Sequence, residues 1–121
     1  MSKKILIVED EQEFFFFYEM MLEDTDYTII HALDGKQALE MIKTEKPDLI
    51  ILDLLLDKLP GDEFLKQLKS DSQYKDIPVI VASSFSPHSN KTIFEIDPEL
   101  AYLEKPFTQE QLMEVIKGKI E

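Results

Sequence analysis

The chain has 121 residues, 44% of them hydrophobic, which is enough for one domain with one core over residues 1–121. It has no cysteine, so neither disulfides nor a thiolate metal site supports the fold, and we expect a cytoplasmic protein. No apolar run is long enough for a membrane span or a signal peptide. The formal charge of −12 disfavours nucleic-acid binding and favours a basic partner surface or a cation.

The first half of the chain predicts alternating strands and helices. Short apolar runs rich in β-branched residues are typical of strands buried on both faces, and apolar residues at i, i+3, i+4 and i+7 are typical of one helix face. The predicted elements are a strand at Lys4 to Val8, a helix at Gln12 to Glu23, a strand at Tyr27 to Ala32, a helix that Asp34 caps and that ends before Pro47, and a strand at Leu49 to Leu52 that ends on Asp53.

The second half continues the alternation. Its predicted elements are a helix that opens at Gly61, a strand at Ile77 to Ala82 that Ser83 and Ser84 terminate, a helix at about Ser89 to Ile96, a strand at Leu100 to Leu103, and a last helix with a capping box of Thr108 and Gln111. Five strands alternating with five helices predict an α/β fold. Its parallel sheet has right-handed crossovers and helices on both faces.

Polar residues gather where the predicted strands end. In an open parallel sheet, ligands bind beyond the carboxyl ends of the strands, so these residues are the first candidates for a site. They are Glu9 and Asp10 after the first strand, Asp53 after the third, Ser83 and Ser84 after the fourth, and Lys105 after the fifth.

This combination of residue types favours phosphoryl chemistry. Carboxylates brought together repel unless a cation neutralises them, and oxygen ligands favour Mg²⁺. An aspartate beside the metal can act as a nucleophile and become an acyl phosphate, while Lys105, the Ser83 hydroxyl and the Ser84 backbone N–H can contact the phosphoryl oxygens. Taken singly, each acidic residue is as readily a solvated turn former, Lys105 a surface lysine, and each serine a cap. Only their convergence favours a site.

With these residues in view, the chain resembles the receiver domains of two-component response regulators from Lys4 to about Ile120. The resemblance is carried by the Glu9-Asp10 pair, Asp53, Ser83 and Lys105-Pro106-Phe107, at the spacings of that family. It implies a (βα)5 doubly wound sheet in the flavodoxin-like order 2-1-3-4-5, and a signalling domain that catalyses only its own phosphorylation and dephosphorylation.

The resemblance also implies roles for single residues. Asp53 is the expected phosphoacceptor, and the expected donor is a histidine kinase or a histidine phosphotransfer protein. Mg²⁺ is expected on Asp10, Asp53 and the Leu55 carbonyl, with Glu9 contributing through water. Ser83 and Tyr102 resemble the family's switch pair, and Lys105-Pro106 resembles its cis peptide. Phosphorylation is then expected to change the surface of the fourth helix, fifth strand and fifth helix.

Three positions depart from the family pattern or tune it. Asp57 stands where the family usually has proline, so the following loop can differ in shape and metal affinity can change. Leu55 and Phe85 occupy the variable positions that tune access of the hydrolytic water. Because both are apolar, we expect slow self-dephosphorylation.

The sequence also contains an aromatic run and two histidines outside the predicted site. One face of a helix cannot bury the whole run of aromatics from Phe14 to Tyr18, and we expect Phe14, Phe17 and Tyr18 in the core. Phe16 is expected to be exposed, as an anchor for a phosphodonor or in a homodimer. His31 lies on a predicted strand that we expect far from the acidic residues, and neither it nor His88 is given a role.

Two alternatives to a receiver remain. The first is a phosphohydrolase with an aspartyl nucleophile, but such enzymes usually carry a second aspartate two positions later, where this chain has Leu55. The second is a degenerate receiver that only binds, which the complete set of site residues disfavours. The sequence carries no chemical signature of the cognate kinase, the stimulus, the output or the oligomeric state. It also does not decide between a complete regulator and part of a longer protein.

Overall fold

The computed structural model describes residues 2–54, 59–86 and 91–121. Strands and helices alternate throughout, as the sequence predicts. The strands are β1 (Lys4–Val8), β2 (Thr28–Ala32), β3 (Leu49–Asp53), β4 (Val79–Ser83) and β5 (Ala101–Glu104). The helices are α1 (Gln12–Leu22), α2 (Gly35–Glu45), α3 (Gly61–Ser70), α4 (Lys91–Ile96) and α5 (Gln109–Ile120).

The strands form one parallel sheet in the order β2-β1-β3-β4-β5, which confirms the predicted fold class. Two strands end one residue later than predicted, because Ser83 of β4 is in register with Glu104 of β5. Ser83 is therefore the last residue of its strand rather than the first residue after it. The Ser83 side chain therefore lies at the carboxyl end of β4, within the regular backbone of the strand.

Each face of the sheet carries its own apolar core. Alternate residues of a strand point to opposite faces, so Leu6 and Val8 pack on one side, while Ile5 and Ile7 pack on the other. Helices α2, α3 and α4 cover the first face, and α1 and α5 cover the second. With both faces covered, only the ends and edges of the sheet are open to a ligand.

Local capping fixes where two helices begin. The Asp34 side chain accepts the Gln37 N–H at the start of α2. The predicted capping box of α5 is present, since Thr108 and Gln111 each bond the other's backbone N–H. No helix in the described ranges is long and apolar enough to cross a membrane.

The aromatic run of α1 divides differently from the prediction at one residue. Tyr18 is buried, Phe14 is half-buried, and Phe16 is 57% exposed, as expected. Phe17 is 51% exposed, so its assignment to the core was wrong. Phe15 turns inward instead and stacks on the ring of His31, with 3.7 Å between ring centroids. The apolar face of α1 is thus rotated toward β2, which leaves Phe17 at its border.

Candidate functional site

Three carboxylates meet at the carboxyl end of the sheet. One oxygen from each of Glu9, Asp10 and Asp53 lies within 4.8 Å of the other two. Glu9 is only 1% exposed and Asp53 only 6%, so water screens their charges poorly. Such a group of hard oxygen donors, with little solvent between them, suits a divalent cation such as Mg²⁺.

The Lys105 ammonium lies between two of these carboxylates. Its Nζ is 3.0 Å from Glu9 Oε1 and 3.5 Å from Asp53 Oδ2, and its side chain is 11% exposed. The Lys105 N–H donates to the Ser83 carbonyl at 2.7 Å, and the Lys105-Pro106 peptide is cis. One positive charge thus faces three negative ones, and the cluster remains short of positive charge.

Backbone contacts hold the acidic residues where the strands end. The Glu9 N–H donates to the Ala32 carbonyl at 3.0 Å, which ties the end of β1 to β2. Glu9 Oε2 accepts the Glu11 N–H at 3.3 Å, so the following turn orients the carboxylate. Next to Asp53, a Cβ on Gly61 would lie 2.6 Å from the Leu54 Cα, and therefore only glycine allows the start of α3 to approach the acceptor strand so closely.

Electrostatics in the cluster act most strongly on Glu9. Its pKa rises from 4.5 to about 7, first because burial removes water from the carboxylate and second because the Asp53 charge repels it. Lys105 acts in the opposite direction but does not cancel these effects. Burial also raises the pKa of the nearby Tyr18 phenol, with the Glu9 and Asp53 charges adding to the shift. Burial and charge repulsion therefore disfavour the ionised form of Glu9, and a bound cation would oppose both effects.

A second group of contacts links the site to α4. The buried Ser83 hydroxyl accepts the Phe85 N–H at 3.1 Å, and the Tyr102 hydroxyl donates to the Phe85 carbonyl at 2.7 Å. The Tyr102 ring lies against the Phe94 ring of α4, with 6.0 Å between centroids. Ser83 and Tyr102 thus both hydrogen-bond the Phe85 backbone, one at its N–H and the other at its carbonyl.

The family comparison agrees with this geometry. The family described as response regulator receiver domain matches residues 5–117. This chain belongs to the response regulator receiver domain family. The family is one of signalling domains in two-component systems rather than of classical enzymes.

Individual relatives resemble the receiver domain over nearly its whole length. It is 36% identical over 119 residues to the alkaline phosphatase synthesis transcriptional regulatory protein PhoP of Bacillus subtilis, covering 98% of this chain but 48% of PhoP. It is 31% identical over 118 residues to the polar-differentiation response regulator DivK of Brucella anthropi, covering 98% of this chain and 96% of DivK. The chain thus spans about half of one relative and nearly all of the other.

A solved structure supports the same fold. The phosphorylated cyanobacterial phytochrome response regulator RcpA superposes on the receiver domain with a TM-score of 0.83 at 30% identity, covering 98% of this chain and 91% of that one. The sheet order β2-β1-β3-β4-β5 with five helices is a flavodoxin-like fold that matches CheY-like solved structures.

Not every predicted site residue falls in the described part of the receiver domain. Leu55, whose carbonyl is a predicted metal ligand, lies outside the described residues, as do Asp57 and His88. Ser84 is exposed and directly follows β4. The side chains of Glu9, Asp10, Asp53 and Lys105 do come together as the sequence indicates.

Sequence reasoning missed two neighbours of the site. His31 was expected far from the acidic residues, but its Nε2 is 2.7 Å from the Glu9 carbonyl oxygen. This expectation was wrong because β2 pairs directly with β1, which places His31 beside Ile7 in register. Phe14 was assigned only to the core, yet the Lys105 Nζ lies 3.9 Å from its ring centroid. The strand order points to the first contact, but nothing in the sequence indicates the second.

Proposed function

We propose that this receiver domain accepts a phosphoryl group on Asp53 from a phosphohistidine of a histidine kinase or phosphotransfer protein. The observation that carries the proposal is the position of Asp53. Its carboxylate is nearly buried, lies 3.5 Å from the Lys105 ammonium and shares an acidic cluster with Glu9 and Asp10. An isolated strand-end aspartate would need none of these partners.

The proposed transfer forms one bond and breaks another. An Asp53 carboxylate oxygen attacks phosphorus, the P–N bond to the donor imidazole breaks, and the ring nitrogen keeps the bonding electrons. Lys105 then pairs with a phosphoryl oxygen, and the Ser83 hydroxyl and the Ser84 backbone N–H donate to others. In hydrolysis, water attacks phosphorus, the P–O bond to Asp53 breaks, and the products are the carboxylate and inorganic phosphate.

Mg²⁺ is the cofactor that we propose for this reaction. Asp10, Asp53 and the Leu55 carbonyl would bind it directly, with Glu9 acting through water. The oxygen donors and the deficit of positive charge fit this ion. When bound, it neutralises charge on the carboxylates and on the transferring phosphoryl group.

We propose Ser83 and Tyr102 as the readout of phosphorylation. A phosphoryl oxygen that draws the Ser83 hydroxyl toward Asp53 would break its bond from the Phe85 N–H. Tyr102, which donates to the Phe85 carbonyl and packs on Phe94, would then change its rotamer. The consequence is a rearranged surface on α4, β5 and α5.

The lifetime of the acyl phosphate should be long. Phe85 is 47% exposed and its backbone is held by Ser83 and Tyr102, and we propose that its apolar ring obstructs approaching water. A Leu55→Asn, Phe85→Glu double variant should lose its phosphoryl group faster than wild type, measured as decay of phosphorylated protein. A decay rate equal to that of wild type would contradict this role.

Phe16 is the proposed anchor for the phosphodonor. Together with Met20, which is 50% exposed, it forms an apolar patch on a helix that carries no basic residue, and Glu19 and Glu23 border it. A donor helix with apolar and basic residues would complement this surface. Phe16→Ser should slow transfer from a phosphorylated donor without changing phosphorylation by acetyl phosphate. Equal donor rates and an unchanged oligomeric state would contradict the proposal.

Mass spectrometry tests the central proposal. Wild-type protein treated with acetyl phosphate and Mg²⁺ should gain the mass of one phosphoryl group, and Asp53→Ala should gain none. A wild-type protein without the gain would overturn the proposal. Sustained release of phosphate from varied phosphate esters would favour the aspartyl phosphohydrolase instead.

A further inference from the structure

Lys105 has an aromatic partner in addition to its two carboxylates. Its Nζ lies 3.9 Å from the centroid of the Phe14 ring, well inside the range of about 6 Å in which a cation is attracted to a ring face. With the Lys105 side chain only 11% exposed, little water competes for the contact. An ammonium has three N–H donors, and Glu9, Asp53 and the ring offer one partner to each.

Neighbouring aromatic side chains hold the Phe14 ring in place. Two of its edge-to-face contacts are to Tyr18 at 5.3 Å and to Phe107 at 5.8 Å between centroids. Both neighbours are buried, and Phe107 follows Lys105 by only two positions. Phe107 thus ties the Phe14 ring to the chain segment that carries Lys105.

The contacts of the Lys105 ammonium differ in whether they persist through metal binding and phosphorylation. A divalent cation would compete with the ammonium for the Glu9 and Asp53 carboxylates, and phosphorylation would convert the Asp53 carboxylate into an acyl phosphate. The Phe14 ring changes in neither step. A lysine has a flexible four-carbon stem, so a partner that persists limits where its ammonium can go.

We propose that Phe14 is a positioning residue, whose ring face keeps the Lys105 ammonium beside Asp53 while its carboxylate partners are taken by metal and phosphoryl group. The inference rests on the proposed function of Lys105. It adds an electrostatic role to a side chain that helix periodicity assigns to packing. The role depends on the electron density of the ring face rather than on its volume.

Stepwise fluorination of Phe14 tests this role, because fluorine removes negative potential from the ring face with little change in shape. Phe14 is replaced by mono-, di- and trifluorophenylalanine, and phosphorylation by acetyl phosphate with Mg²⁺ is followed by mass. The rate should fall step by step, about five- to thirtyfold in total, since a cation–π contact shielded from water is stronger than an exposed one. Acetyl phosphate needs no docking helix, so effects on partner binding do not enter.

The same series at Phe17 is the matched control. Phe17 is on the same helix, half exposed, and its ring centroid is 6.1 Å from that of Phe14, so it carries a similar ring outside the Lys105 contact and its fluorination should leave the rate unchanged. Equal decline in both series, or a constant rate across the Phe14 series, would overturn the positioning role.

A direct measurement separates this inference from the proposed function. In wild type, the Phe14 ring current should shift the Lys105 Hε resonances upfield, and Phe14→Leu should abolish the shift. An unchanged shift in Phe14→Leu would overturn the contact itself. If wild-type protein takes up no phosphoryl group while the shift is present, the proposed function fails and the positioning role fails with it, although the contact stands.

Discussion

Two partly buried lysines lie at opposite ends of the sheet. Lys69, near the amino ends of β4 and β5, is 3.3 Å from Asp97 Oδ2 and donates to the Lys75 and Ile77 carbonyls at 2.9 and 3.0 Å. The other oxygen of Asp97 accepts the Glu99 N–H. One positive charge faces one negative charge there, and neutral carbonyls take the other donors.

Lys105, at the carboxyl ends of the strands, has the opposite balance. It faces Glu9 and Asp53, with Asp10 close to both, and its remaining partner is an aromatic ring. The pKa of Glu9 rises to about 7 here, whereas the balanced Lys69 pair has no excess charge to relieve. Removing one partner of a balanced pair leaves a charge without compensation, whereas a cluster that lacks positive charge is suited to a ligand that supplies it.

The largest effect should come from breaking the balanced pair. Lys69→Met leaves Asp97 buried without its ammonium and should lower the free energy of unfolding by about 3 kcal/mol. Urea denaturation measures the loss. Adding Asp97→Asn should recover part of it, since the amide oxygen still accepts the Glu99 N–H.

Phosphorylation by acetyl phosphate should remain unchanged in Lys69→Met, measured at a temperature where the variant is folded. A loss below about 0.5 kcal/mol would place the pair among weak surface ion pairs. A changed phosphorylation rate would show instead that the two ends of the sheet are coupled.

Mg²⁺ should act only on the unbalanced cluster. At ten times its dissociation constant, it should raise the free energy of unfolding of wild type by about 1.4 kcal/mol. Asp53→Asn removes one ligand and should lose most of this gain, whereas Asp97→Asn should keep it. Thermal unfolding with and without Mg²⁺ provides the comparison. Equal stabilisation of both variants would mean that the ion binds elsewhere.

A further effect concerns pH in the absence of divalent ions. Because the Glu9 pKa is about 7 in the folded state against 4.5 ordinarily, the folded protein binds more protons between these values. This group therefore lowers the free energy of unfolding as pH rises from about 4.5 to about 7. Glu9→Gln should have a flatter pH dependence and should be more stable than wild type at pH 8.

Denaturation in EDTA across this pH range isolates the contribution of Glu9, because the other groups are common to both proteins. A Glu9→Gln variant with the same slope as wild type would show that its carboxylate is not destabilised by burial.

The sequence predicts most of the fold because its signals are local. Apolar strand runs, the Asp34 cap and the Thr108 capping box each depend on a few neighbouring residues, and the structure contains all of them. The meeting of Glu9, Asp53 and Lys105 follows from the parallel sheet, which brings strand ends to one edge.

Contacts that depend on how the helices and strands pack against one another could not be predicted in the same way. Phe17 was assigned to the core because helix spacing fixes which residues share a face, but not which way the helix turns on the sheet. The His31 contact with the Glu9 carbonyl requires the register of β1 and β2. The contact of Phe14 with Lys105 joins two elements far apart in the chain, and no sequence pattern records it.

The most direct test of the account locates the phosphoryl group on the chain. Wild-type protein is phosphorylated with acetyl phosphate and Mg²⁺, reduced with borohydride, which converts an aspartyl phosphate to homoserine, and digested for peptide mass spectrometry. We predict homoserine at position 53 alone, and its loss when Mg²⁺ is replaced by EDTA. Modification at another carboxylate, or none in wild type, would contradict the assignment of Asp53 as the phosphoacceptor.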